Sequence, residues 1–141
     1  MCIIVRVWGD IVFGEKPMYG QNELKLCDKG RIFIPASTKR EPGEELILLY
    51  NSFSKVHEIY SSKILEEKFE KLNQLLMNAQ NEQDKKYYEI SLLQLSKSIL
   101  KSEKVDAQGR FLTGKVFEGE EKLLCTGAYD HLIIEPIKIK K

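Results

Sequence analysis

The spacing of apolar positions divides the chain into two stretches of strand-like period with one stretch of helical period between them. "IIVRVW" is rich in β-branched residues, and Gly9-Asp10 turns into "IVFGE", which predicts a small opening hairpin closed off by Pro17. "ELKLC", the tight turn "DKG" and "RIFIP" predict a second hairpin, ended by Pro35. Gly30 falls where such a turn needs a positive φ, which glycine supplies without steric cost. "ASTKREPGE" reads as a single helical turn and loop broken at Pro42-Gly43. "ELILLY", "NSF" and "KVHEIY" then read as strand, turn and strand.

From Ser61 the period changes. Leu65, Phe69, Leu72, Leu76 and Ala79 recur every three or four residues, on one helical stripe that Ser61 or Ser62 can cap. "NEQD" is a polar break, and Tyr88, Leu92, Leu95 and Ile99 repeat the spacing on a second helix. Two amphipathic helices joined by a polar turn predict a helical hairpin.

The first theme then returns. "KVDAQGRF" replays strand, turn and strand, with Gly109 and Arg110 in the places of Gly30 and Arg31. "EKLLCTGAYDHLIIE" replays "EELILLYNSFSKVHEIY", aligning Phe53 with Tyr129, Lys55 with His131 and Val56 with Leu132. The Gly-Arg pairs lie 79 residues apart and the aromatics 76, so the second copy is shorter inside. The chain is a tandem repeat of one β-rich unit around an inserted helical hairpin. Its expected organisation is an extension over 1–17, a first repeat over 18–60, the helices over 61–102, a second repeat over 103–136 and a basic tail over 137–141. The expected class is α+β, mainly β.

Composition narrows the function. The 141 residues carry 43% hydrophobic and 30% charged residues, the balance of an ordinary globular domain. Cys2, Cys27 and Cys125 are odd in number and far apart, which argues against a disulfide framework and for a reducing compartment. The N-terminus lacks a basic n-region and Asp10 interrupts its apolar run, so no export signal is expected. No run of about 18 apolar residues predicts a membrane span, and the expected location is the cytoplasm. A net charge of +1 means that any nucleic-acid contact must come from a local patch.

The repeated phrase is a glycine-supported turn presenting a basic residue. Asp106 stands four residues before Arg110, at the opposite foot of its turn, where a carboxylate can take a bidentate guanidinium. That pairing fits a hairpin lock as well as a reader. Cys27 occupies the corresponding place in the first copy, so Arg31 lacks this counter-charge, although Asp28 is near. With Lys25, Lys29, Lys39 and Arg40 close by, Arg31 is expected to be exposed and suited to phosphate or guanine contact. The bland alternative is a solvated surface balanced by Glu41, Glu44 and Glu45.

"LCDKGRIFIPA" with "VDAQGRF", "MYG" before the first copy and "LLCTGAYDHLIIE" after the second resemble the MraZ family, over roughly residues 18–135. MraZ proteins are tandem relatives of the AbrB-type swapped-hairpin proteins. The resemblance implies two interlocked half-barrels, with hairpins crossing. It also implies a cytoplasmic, nucleoid-associated transcriptional regulator of cell-division and cell-wall genes that binds repeated promoter elements of double-stranded DNA as a homo-oligomeric ring. By position, Arg31 with Lys29 matches the family's DNA-contacting turn, with Lys25 in support; Asp106 and Arg110 match its second motif. Four features depart from the pattern: Cys27 in place of Asp, "LTG" in place of the usual "IP", little room for a helix in "KVFEGEEK", and an extension with no family counterpart.

Other chemistry is weakly signalled. His57 and His131 lack metal-site spacing, and there is no phosphate-cradling glycine loop or nucleophile elbow. Glu58 and Glu135 end strands. A Cys-His pair between the copies has no activating neighbourhood in the sequence. No catalysis, cofactor, metal or small-molecule substrate is expected. The alternating tail "PIKIKK" fits a lysine-guarded edge strand better than a binding arm. Two rivals stand beside the regulator: a structural oligomer or interaction module that kept the fold, and an antitoxin-type relative, which would carry one hairpin copy and a disordered tail.

Overall fold

The computed structural model describes residues 17–35 and 43–137. The expected opening hairpin, the helical turn and loop that carry Lys39 and Arg40, and the last lysines of the tail lie outside the described residues. The elements are β1 (Gln21–Cys27), β2 (Arg31–Phe33), β3 (Glu45–Asn51), β4 (Val56–Ser61), α1 (Ser62–Met77), α2 (Glu82–Ser98), β5 (Ile99–Lys104), β6 (Arg110–Leu112), β7 (Lys122–Gly127) and β8 (Leu132–Pro136). The described residues are mainly β with two α-helices, as the two periods predict.

The eight strands form one antiparallel sheet in the order β5-β3-β4-β8-β7-β1-β2-β6, curled into a nearly closed barrel. Its end strands β5 and β6 are consecutive in sequence, and the turn between them brings the two edges together. There the Asp106 N–H donates to the Arg110 carbonyl at 3.0 Å, and the Gly109 N–H to the Asp106 carbonyl at 3.0 Å.

The pairings follow a pseudo-twofold axis. β1 of the first repeat pairs with β7 of the second, with Leu24 opposite Leu123; β5 of the second pairs with β3 of the first, with Glu103 opposite Leu46. β2 pairs with β6 about the opposed residues Ile32 and Phe111, and β4 pairs with β8. The second copy is shorter because β7 has six residues to the seven of β3, and nine residues join β6 to β7 where eleven join β2 to β3.

Strand alternation sends one side chain in two to the barrel interior. Ile32, Ile34, Leu46, Leu48, Ile59, Phe111, Leu123 and Ile134 are fully buried there, and Phe117 of the loop after β6 is buried in the same cluster. A second cluster lies outside the barrel. Leu49, Tyr60, Ile64 and Leu65 are buried between the β3–β4 ribbon and the helices, with Phe69, Leu95 and Ile99 packed against them. The α1 stripe expected from the sequence is therefore its packing face. Ser61, not Ser62, caps α1 by accepting the Ile64 N–H at 3.0 Å; Asn81 caps α2 by accepting the Asp84 N–H at 2.8 Å. Each cap contributes about 1 kcal/mol.

The second helix ends one residue earlier than its stripe suggests. Ile99 is extended (φ −69°, ψ 124°) and opens β5 opposite Leu49. Leu100 is passed over in the pairing as a bulge residue and stays 47% exposed. A β-branched residue at a helical spacing satisfies both periods, and the pairing with Leu49 decides between them.

Candidate nucleic-acid interface

The two Gly-Arg turns are built differently. In the second, Asp106 organises the backbone: its Oδ1 accepts the N–H groups of Gln108 and Arg110, both at 2.9 Å. Its Oδ2 accepts the Arg110 Nε–H at 2.9 Å, so the guanidinium is held through one nitrogen rather than by the expected two-pronged contact. Geometry gives the reason, because one carboxylate oxygen is already committed to the turn. These donors, led by the Arg110 backbone N–H, outweigh burial and hold the Asp106 carboxyl below its usual range. The Arg110 guanidinium also lies 6.0 Å from the centre of the Phe33 ring, in reach of a cation–π contact.

In the first turn Lys29 (φ 64°) and Gly30 (φ 76°) both adopt the left-handed conformation. Cys27 stands at the foot of this turn, directly opposite Arg31, and its thiol reaches the Lys25 carbonyl at 3.9 Å. Two contacts from the second repeat steady the turn instead. The Thr113 N–H donates to the Gly30 carbonyl at 2.7 Å, and the Thr113 hydroxyl donates to the same oxygen at 2.5 Å.

The twofold pairing brings the two arginines together. Arg31 lies opposite Leu112, and Arg110 opposite Phe33, on either side of the inward pair Ile32 and Phe111. Alternation therefore places Arg31, Phe33, Arg110 and Leu112 on the outer face of β2 and β6. Lys25 shares that outer face on the adjoining β1, and Lys29 stands at the turn tip; both are exposed. Arg31 and Lys29 have no carboxylate partner among the described residues, whereas Arg110 is tethered to Asp106. Gly30 and Gly109 act as the turn glycines the sequence predicts, at φ 76° and 80°.

Sequence reading missed a polar cluster between the barrel and α1. His131 presents Nδ1 to Asp130 Oδ1 at 2.7 Å and Nε2 to Glu58 Oε2 at 3.4 Å. Lys68 of α1 pairs with Asp130 Oδ2 at 3.1 Å, and the Tyr60 ring stacks on the imidazole at 4.4 Å. Burial opposes a charged imidazole, but the hydrogen bonds and charges of Glu58 and Asp130 outweigh it and raise the His131 pKa. His57 has no such partners, and burial lowers its pKa. Burial, with Glu58 and Asp130 adding to it, also pushes the Tyr60 phenol up. The adjacent "YDH" was the only signal in the sequence; Glu58 and Lys68 are brought in by the fold.

The cluster fastens α1 to the barrel through the Lys68–Asp130 pair. The Cys125 thiol lies in the core, where burial pushes its pKa up to about 12, so it stays protonated. Among the described residues no group of three or more His, Cys, Asp and Glu side chains is arranged to hold a metal ion, and no helix is long and apolar enough to cross a membrane.

The two histidines should titrate on opposite sides of the ordinary imidazole value of about 6.5. By linkage, His131 contributes stability that is fully present below about pH 6.5 and is lost as pH rises through its raised folded value. His57 acts in the opposite sense, destabilising the fold as pH falls below about 6.5. Imidazole NMR titration should place His131 above 6.5 and His57 below. The stability gap between wild type and His131→Gln should be largest in mild acid and shrink by pH 8. A gap that widens with pH would contradict this assignment. No family model matches the chain, and no curated protein matches it.

Proposed function

We propose that the chain is a cytoplasmic, nucleoid-associated transcriptional regulator of MraZ type. It binds repeated elements of double-stranded DNA as a homo-oligomer, through a double swapped-hairpin barrel of AbrB-like kind. The observation that carries this reading is the convergence of both Gly-Arg turns, from distant parts of the chain, on one pseudo-twofold outer face. The pairing of each repeat's first strand with the other repeat's third supports the swapped-hairpin assignment.

Arg31 and Lys29, uncommitted to any described carboxylate, suit contact with phosphates or base edges, with Lys25 in support. Arg110, held through Nε, keeps its terminal nitrogens for a second contact while Asp106 fixes its direction. One protomer with a net charge of +1 binds weakly. Several protomers on repeated elements make the later contacts intramolecular and raise the affinity.

A second reading, a structural or protein-interaction module, draws on the helices. Met77, Tyr87 and Leu93 are 76%, 66% and 54% exposed, and α2 has no buried residue. That surface serves assembly under either reading, so DNA selection separates them. Rounds of binding to a random duplex pool should enrich a short element occurring in repeated copies. An unenriched pool, from a protein that still assembles at high salt, would favour the interaction module.

A further inference from the structure

A cleft of about 590 Å³ opens beside the first Gly-Arg turn, and its walls come from both repeats. Lys29, Gly30 and Arg31 form one side; Gly114, Lys115 and Glu118, from the loop after β6, form the other. Nothing in the sequence marks Lys115, an exposed loop lysine far along the chain from Arg31. The fold places it there by anchors on either side. Thr113, fully buried, donates twice to the Gly30 carbonyl, and Phe117 is buried in the barrel core. Between them the Glu118 N–H donates to the Lys115 carbonyl at 3.1 Å and closes the loop into a tight turn. Lys115 is thus held on a short, doubly fastened arc facing the first turn.

Three cations line this cleft against one carboxylate, Glu118, and none of the three has a carboxylate partner among the described residues. Positive groups in a concave, partly apolar wall concentrate their field on one spot and favour an anion there. The DNA reading above supplies the anion, and the inference rests on that reading. We propose that this cleft seats a backbone phosphate of double-stranded DNA, with Lys115 of the second repeat completing the site that Lys29 and Arg31 begin. The first turn alone would supply two cations. The loop of the second repeat adds the third and fixes the depth at which the phosphate sits.

The test is duplex binding by the full chain, followed by fluorescence anisotropy over a series of salt concentrations. Lys115→Gln, with Lys115→Glu as its charge-reversed companion, is measured beside wild type and beside Lys71→Gln, a change on the remote helical hairpin. Melting curves confirm that each variant folds. Lys115→Gln should weaken binding roughly tenfold at about 0.1 M salt and flatten the salt slope by about 0.9, the signature of one lost phosphate contact. The loss should be equal for different DNA sequences, Lys115→Glu should lose more, and Lys71→Gln should lose nothing. Glu118→Gln, which removes the one carboxylate in the cleft wall among the described residues, should bind more tightly than wild type. Wild-type affinity and slope in Lys115→Gln would overturn the proposal while leaving the DNA reading intact. A loss confined to one DNA sequence would make Lys115 a base reader and also overturn the phosphate assignment. A wild-type protein that binds no duplex would remove the DNA reading, and the cleft's role with it.

Discussion

Gly30→Ala should be among the most damaging single-atom additions to this protein, costing about 3 kcal/mol. Two effects combine. At φ 76° a side chain clashes with its own backbone, at about 1–2 kcal/mol. A Cβ there would also collide with the carbonyl of Gly114, a backbone atom with no rotamer to escape into. Forced overpacking of this kind costs a further 1–3 kcal/mol or so. For a chain of this size the melting temperature should fall by roughly 10 °C. Gly119→Ala is the matched control, since Gly119 has φ 90° but nothing within 4 Å of its added Cβ. It should show the conformational cost alone. Equal melting temperatures for the two variants would mean that the two repeats are not in backbone contact at Gly30. Gly30→Ala should weaken DNA binding as well, because the shift would part the first turn from Thr113 and Lys115.

The two arginines should separate binding from stability. Arg31 has no described carboxylate to lose, so Arg31→Ala should leave the folding stability within about 0.5 kcal/mol of wild type. Binding should fall about tenfold to a hundredfold, the range for losing one good arginine contact to DNA. Arg110→Ala removes the partner of Asp106 and the contact over Phe33, so it should lower both stability and binding. Asp106→Ala should reproduce the stability loss by freeing two backbone N–H groups of the turn. Melting curves and duplex titrations on the same three variants give the pattern directly. A stable Arg110→Ala beside an unstable Arg31→Ala would reverse the assignment of scaffold and reader.

Much of this architecture was legible in the sequence, for identifiable reasons. Period-two segments ended by glycine, proline or short polar turns gave seven of the eight strands close to their observed bounds, and the switch to a period of three and four gave both helices. Internal repetition showed two equivalent units. The start of β5 was not legible, because Ile99 fits the helical stripe and the extended strand equally and no glycine or proline precedes it. Periodicity could not show that β1 pairs with β7, since pairing between distant strands depends on the assembled barrel. The cation cleft and the His131 cluster were hidden for the same reason. Lys115, Glu58 and Lys68 are unremarkable residues whose partners come from remote elements. The Asp106–Arg110 contact was legible because both residues belong to one turn, and only its single-nitrogen geometry needed the structure.

The most direct test is a duplex titration of wild type and Arg31→Ala at about 50 and 200 mM salt, using DNA from upstream of the protein's own gene. The account predicts wild-type binding that falls steeply with salt, and a folded Arg31→Ala protein that binds at least tenfold more weakly. Equal binding by both proteins, or binding indifferent to salt, would contradict the claim that the Gly-Arg face reads DNA.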